Sequence, residues 1–236
     1  RERGLECPFF FSDAMSFGVY ILAPIERVKT ILPSRRLHPF RATPKQCIIS
    51  IMALEYRDTD LGPYNEVSIS VPCTIDKVSP LFTGTLRKAP GIPKMYIHQL
   101  PVTTEVARDA GVDFAGYPKF LAEIEIEEKD ETVSCHFSMD DKEIITLSGR
   151  KPELETAQRT NLHMITHRNG YLLKAEFVLS ERKIGVSKDQ ADVRLDIGEH
   201  PVSDDLRKLG LGKIVATLYT PQFQAILTPS YESYVV

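Results

Sequence analysis

Residues 64–73 read YNEVSISVPC. Val67, Ile69 and Val71 fall on one side of an extended chain, and Glu66, Ser68 and Ser70 on the other. This strict period of two predicts a β-strand with one apolar and one polar face. The alternation leaves open what the polar face meets. On an open sheet it is the wet face. In a small barrel the same row lines a cavity.

The neighbouring segments extend the pattern. Upstream, KQCIISIMALEYRD (45–58) reads as a strand buried on both faces in its middle, and MSFGVYIL (15–22) as another. Between them APIERVKTILP (23–33) predicts a short helix, with Pro24 in its first turn and Ile25, Val28 and Leu32 on one side. Downstream, PKMYIHQL (93–100) is a strand and TTEVARDAG (103–111) a short helix, capped by Thr and stopped by Gly111. FLAEIEIEE, TVSCHFSM and EIITLSG follow, separated by KDE and DDK, and predict a meander. NLHMITH and YLLKAEFVL flank RNG, whose Asn-Gly signals a hairpin. SDDLRKLG (203–210) is a helical turn with Ser203 at its cap, and KIVATLYTPQFQAIL closes the pattern as strand. No repeat or Pro/Gly-rich linker divides the chain. The prediction is a mainly β (α+β) fold: one domain over 1–236, antiparallel, closed or nearly closed into a barrel, with a few short helices.

Composition narrows the function. The 236 residues are enough to bury a core without staples. Net charge is −3 with no basic block, which argues against a nucleic-acid surface. Cys7, Cys47, Cys73 and Cys135 are scattered, with no C-x-x-C pair, and read as reduced thiols of a cytoplasmic protein. No run of 18 apolar residues and no signal-peptide pattern is present, so no membrane association is expected.

Several chemical motifs fail on inspection. His163 and His167 have zinc-ligand spacing only on a helix; on the strand predicted here their rings lie about 13 Å apart. Gly210-Leu211-Gly212 is a helix stop without the flanking strand of a phosphate loop. No serine is framed as G-x-S-x-G. Neither a metal nor a cofactor is expected. Glu123, Glu125, Glu127 and Glu128 read as a solvated strand face, with Ala122, Ile124 and Ile126 against the core.

Lys119 stands apart. It follows Gly116-Tyr117-Pro118, where glycine permits a tight bend and proline fixes φ. Most lysines after a turn face solvent. This one has Tyr117, Phe120 and Leu121 as apolar neighbours able to exclude water. A lysine of ordinary pKa, about 10.4, is protonated at pH 7 and cannot attack a carbonyl. Desolvation depresses such a pKa, and lowering it to about 6.5 corresponds to penalising the ammonium by roughly 5 kcal/mol.

Taken together, YNEVSISVP (64–72) and GYPKFL (116–121) resemble the acetoacetate decarboxylase family. GVYILAPIERVKTILP, SIMALEYRDTDLGPYNEVSISVP, MYIHQLPVTTEVARDAGVDFAGYPKFL and GLGKIVATLYTPQFQAIL extend the likeness over roughly residues 14–228. The resemblance implies a β-rich cone or barrel around an apolar pocket. It gives Lys119 the role of Schiff-base lysine and Glu66 that of active-site glutamate. Tyr64 and Ser68 beside Glu66, and Tyr117 and Phe120 beside Lys119, are expected to wall the substrate pocket. Acetoacetate decarboxylase is itself a known case of an activated lysine amine. The sequence departs from the family at three places. The second lysine of the family is Phe120, an arginine near the substrate carboxylate aligns with Asp13, and a further glutamate aligns with Ser50. A carboxylate substrate seeks a cation, and Asp13 would repel it, so the departures point away from strict acetoacetate specificity.

Three functions follow. The first is a lyase that decarboxylates a β-keto acid or related keto acid through a Lys119 imine. The second keeps the imine but performs aldol, retro-aldol or dehydration chemistry on a larger keto acid. The third is a non-catalytic barrel that binds an apolar small molecule. A homo-oligomer is expected, because family members assemble and exposed strand edges favour being covered.

Overall fold

The computed structural model describes residues 6–78, 81, 93–157 and 159–236. In chain order the elements are β1 (Phe9–Pro24), α1 (Ile25–Val28), β2 (Leu37–Pro39), β3 (Gln46–Thr59), β4 (Tyr64–Ile75), β5 (Lys94–Val102), α2 (Glu105–Ala115), β6 (Lys119–Leu121), β7 (Glu123–Glu128), β8 (Thr132–Met139), β9 (Lys142–Arg150), β10 (Leu154–Thr156), β11 (Thr160–Arg168), β12 (Tyr171–Glu181), β13 (Lys183–Ser187), β14 (Arg194–Ile197), α3 (Pro201–Leu209), β15 (Ile214–Leu227) and β16 (Glu232–Val235).

The large sheet closes on itself. β15 pairs with β1, β1 with β3, β3 with β4, β4 with β5, β5 with β11, β11 with β12, and β12 returns to β15. All of these pairings are antiparallel except β5–β11. Closure removes the edges that an open sheet of this size would expose. It is incomplete along the length of β15. Phe223–Leu227 pairs with β12, whereas Thr217–Tyr219 pairs with β13, so the ring forks just after Glu181.

A second sheet, ordered β14-β9-β8-β7, packs on the outside of β1, β3 and β4. This contact settles what the alternation left open. Val67, Ile69 and Val71 join Phe17, Ile49 and Ile51 in the core between the sheets, facing Cys135, Phe137 and Leu147. Glu66, Ser68 and Ser70 therefore face inward, into the ring. The segment expected to be buried on both faces, 45–58, divides the same way. Ile49, Ile51 and Ala53 enter the inter-sheet core, and Ser50, Met52 and Leu54 face the interior.

Helix α2 packs small residues inward. Ala107, Ala110, Gly111 and Ala115 are its buried positions, and short side chains allow its backbone a close approach. Thr104 caps it by accepting a hydrogen bond from the Ala107 N–H. It does not stop at Gly111 as expected. It continues to Ala115 and ends at Gly116, whose φ of 62° is the left-handed conformation glycine adopts freely. In α3 the cap is His200, whose Nδ1 accepts from the Val202 N–H, not Ser203, which is buried inside the helix.

The acidic face of β7 is as expected, with Glu123, Glu125, Glu127 and Glu128 exposed and Ile124 buried. Glu128 also has partners for its carboxylate. It accepts a hydrogen bond from Tyr219 and pairs with Arg57 at 3.0 Å and Lys151 at 2.9 Å. The four cysteines are free thiols, and burial pushes Cys47, Cys73 and Cys135 up to about 12. Among the described residues no helix is long and apolar enough to cross a membrane.

Candidate active site

The end of α2 places Lys119. The Gly116 N–H donates to the Val112 carbonyl, and the Tyr117 N–H donates to the Gly111 carbonyl. The two bonds are nested, and together they close the last turn of the helix. Pro118 has no N–H to donate, but its carbonyl accepts from Leu100 of β5. Lys119 then pairs beside Leu100 as β6 begins, parallel to β5.

From this position the Lys119 side chain runs into the ring. Its Nζ lies 2.8 Å from Glu66 Oε2, and the two side chains are only 5% and 7% exposed. The Tyr56 hydroxyl donates to the other carboxylate oxygen, Oε1, at 3.4 Å. The Tyr64 and Tyr117 rings lie 5.3 and 5.9 Å from the amine, within cation–π range. Burial, reinforced by the Glu66 carboxylate, pushes all three tyrosine hydroxyls well above their ordinary pKa, so they stay protonated and can donate. The amine is therefore seated on a carboxylate and framed by rings.

The Lys119–Glu66 pair forms part of the wall of a cavity of about 170 Å³. That is roughly ten times the volume a single water requires. Most of the lining is apolar, contributed by residues such as Phe11, Met95, Met164, Phe177 and Phe223. Tyr64, Ser68 and Tyr117 line it, as the sequence suggested. Phe120 does not. Alternation along β6 turns it to the opposite side, where it packs against the inter-sheet core with its ring 6.4 Å from Phe137. The expectation that Phe120 desolvates the amine is thereby corrected. Ser50, at the aligned glutamate position, is 1% exposed and lines the cavity. Asp13 does not line it, and its carboxylate accepts from Gln222 Nε2 at the surface. His163 and His167 lie on β11, on a strand as expected.

Several residues of the site escaped sequence reasoning. Tyr56 was hidden in a segment that read as uniformly buried. Glu181, on the cavity wall, ends a strand whose spacing carries no motif. Gly111 carries the least visible role. A Cβ there would stand 2.6 Å from Lys119 Cδ and Cε and 3.3 Å from Nζ. The missing side chain is the space the lysine occupies. Its signal was a glycine two turns into a helical pattern, which instead suggested a stop.

Residues 6–226 match the family model described as acetoacetate decarboxylase. The chain belongs to the acetoacetate decarboxylase family. No curated protein matches it closely enough to be informative. Among solved structures, acetoacetate decarboxylase from Legionella pneumophila is 14% identical with a TM-score of 0.70, covering all of this chain and 91% of that one. Another acetoacetate decarboxylase structure is 15% identical with a TM-score of 0.69, covering 98% and 91%. The enduracididine biosynthesis enzyme MppR, complexed with pyruvate, is 12% identical with a TM-score of 0.65, covering 98% and 91%. At these identities the likeness is one of fold, which is the acetoacetate decarboxylase fold.

Proposed function

We infer that the protein is a Schiff-base-forming lyase that acts on a keto acid or related carbonyl compound through Lys119. The observation that carries this reading is the buried 2.8 Å contact between Lys119 Nζ and Glu66 Oε2 on the wall of a largely apolar cavity. A lysine buried for structure alone gains nothing from facing an open chamber. A nucleophilic amine needs that chamber and also a nearby group to take its proton.

Glu66 is that group. As a carbonyl carbon approaches, the Lys119 ammonium passes a proton to the carboxylate, and the freed amine forms the C–N bond. Glu66 returns the proton to the carbinolamine hydroxyl, which leaves as water and gives a protonated imine. The C=N⁺ bond then accepts the electron pair of the bond that breaks. With a β-carboxylate that bond releases CO2 and leaves an enamine. Protonation of the enamine carbon and attack by water release the ketone and restore Lys119. Tyr56, donating to Glu66 Oε1, fixes the carboxylate so that Oε2 faces the amine.

A second reading changes the bond that breaks. Among the described residues no arginine lines the cavity, and Lys119 is its only basic side chain, against the carboxyl groups of Glu66 and Glu181. Nothing among them would hold a substrate carboxylate as a bidentate cation does. This lining favours aldol, retro-aldol or dehydration chemistry on a carbonyl compound. That MppR is a biosynthetic enzyme crystallised with pyruvate is consistent with a fold that serves more than one keto-acid reaction.

Borohydride trapping tests the shared step. Incubation with acetone, acetoacetate or pyruvate followed by reduction is expected to leave a stable adduct on Lys119, located by peptide mass spectrometry. Absence of any adduct across the three carbonyls would overturn the reading. Release of CO2 from acetoacetate separates decarboxylation from the alternative.

A further inference from the structure

The polar row on β4 does not end beside the lysine. From Glu66 it continues through Ser68 to Ser70, and Ser70 stands opposite Ser50 of β3. Ser50 and Ser70 are 1% and 2% exposed, and both line the cavity. Among the described residues neither hydroxyl has a hydrogen-bond partner. Their neighbours along the two strands, Ile49, Ile51, Ile69 and Val71, are β-branched and pack in the core between the sheets. The serines break that pattern. A buried hydroxyl left unpaired is destabilising. If only a small side chain were needed here, alanine would leave the same room without that cost.

The strand register shows what the pair can hold. Directly opposed residues on antiparallel strands have Cβ atoms about 4.5–5.5 Å apart. One ligand oxygen between the two hydroxyls can accept from both at an ordinary length of about 2.8 Å. The next residues around the ring at this level are Tyr20 of β1, opposite Ser50, and Ile97 of β5, opposite Ser70. Neither carries a charge at neutral pH, so an ionic group seated here would lose its water without a countercharge from these neighbours. Four positions of β4 separate Ser70 from Glu66, which is about 13 Å along the strand. On the β3 side the wall between them is apolar, where Met52 and Leu54 face the cavity.

We propose that Ser50 and Ser70 form a second binding point for the substrate, and that they receive an uncharged, hydrogen-bond-accepting oxygen, of a hydroxyl or a carbonyl group, at the far end of an apolar spacer. The proposal rests on the imine reading for the position of the reacting carbonyl. The substrate class is thus a ketone with a second oxygen function remote from the first. A methyl end would leave both serine hydroxyls unpaired. A carboxylate end would exchange its hydration for two neutral donors, a poor replacement for an anion.

The test uses linear methyl ketones of graded length ended by hydroxyl, methyl or carboxylate, trapped on the full chain with cyanoborohydride. The readout is the half-saturating concentration for the Lys119 adduct. In the unaltered protein the hydroxyl-ended ketone should be preferred over the methyl-ended one only once the spacer is long enough to reach the pair. A preference that is the same at every length, or a carboxylate-ended ketone that saturates earliest, would overturn the proposal without any variant. At the best-fitting length, the double variant Ser50→Ala, Ser70→Ala should reduce the hydroxyl-over-methyl ratio by about tenfold, and each single variant by part of that. A ratio that survives the double variant would also overturn it. A parallel calorimetric titration uses the diol obtained by reducing the hydroxyl-ended ketone, which cannot form an imine. Serine-dependent binding of that diol without any ketone adduct would uphold the far-end contact and overturn the role of Lys119. Ketone adducts without an end-group preference would do the reverse.

Discussion

Gly111→Ala is the most discriminating perturbation of the site, because it touches Lys119 without altering any charge. A methyl group at position 111 would stand 2.6 Å from Lys119 Cδ and Cε. Ordinary carbon–carbon contact is about 3.5–4.0 Å, so something must yield by about 1 Å. Helix α2 is held by Ala107, Ala110 and Ala115 in the buried clusters, so the lysine is the softer partner. Its displacement lengthens the 2.8 Å contact with Glu66 but leaves the cation beside the carboxylate. Stability changes little: the helix gains about 1 kcal/mol from replacing glycine, while overpacking costs about 1–3 kcal/mol. The net loss is therefore at most about 2 kcal/mol, a fall in Tm of up to about 8 °C in a chain of this size. The chemistry should suffer far more, since misplacing a reacting group by about 1 Å can cost roughly 100-fold in rate. The assay is the rate of borohydride-trapped adduct on Lys119, with Tm measured on the same sample. An alanine variant that traps at the unaltered rate would refute the idea that Gly111 is a space reserved for the lysine.

Three further outcomes are expected. Lys119→Met should abolish the adduct and also destabilise the fold by about 3–5 kcal/mol, because Glu66 is left buried without its cation; adding Glu66→Gln should restore much of the lost Tm, and a double variant no more stable than the single one would count against the pair's burial. Phe120→Ala should lower stability by about 2–4 kcal/mol through the core it leaves open, with the pH profile of trapping unchanged; a shifted profile would return Phe120 to the pocket wall. Burial holds the His98 imidazole below its usual 6.5, opposed only in part by Asp205. The unfolded chain thus binds a proton there before the folded chain does, so stability should begin to fall as pH drops through about 6.5 and continue downward to the folded value. Tm measured against pH should lose that part of its slope in His98→Asn, and identical slopes would exclude His98 as its source.

The strands were legible because their signal is local. The period of two in 64–73 is written in the residues themselves, as are the Asn-Gly hairpin and the Gly-Tyr-Pro turn. The direction in which each face points was not legible, because it depends on the second sheet. Nothing within Glu66, Ser68 and Ser70 says that β8 and β9 cover their opposite side. Phe120 was misread for the same reason: beside Lys119 in sequence, it is across the strand from it in space. Gly111 and Glu181 lay further out of reach. One is a space and the other a polar end to an apolar row, and each acquires meaning from what the fold brings alongside it, Lys119 beside the first and Thr220 among the partners of the second.

The division of β4 into two faces also bears on how such a protein changes over generations. Val67, Ile69 and Val71 anchor the strand in the core between the sheets, while Glu66, Ser68 and Ser70 face the chamber. Substitutions at the even-numbered positions can alter what the chamber accepts with little effect on the packing that holds the strand, and substitutions at the odd-numbered ones do the opposite. Selection on substrate and selection on folding therefore act on interleaved but separable sets of residues. Such a scaffold can exchange one carbonyl substrate for another by small steps, each leaving the lysine where it was.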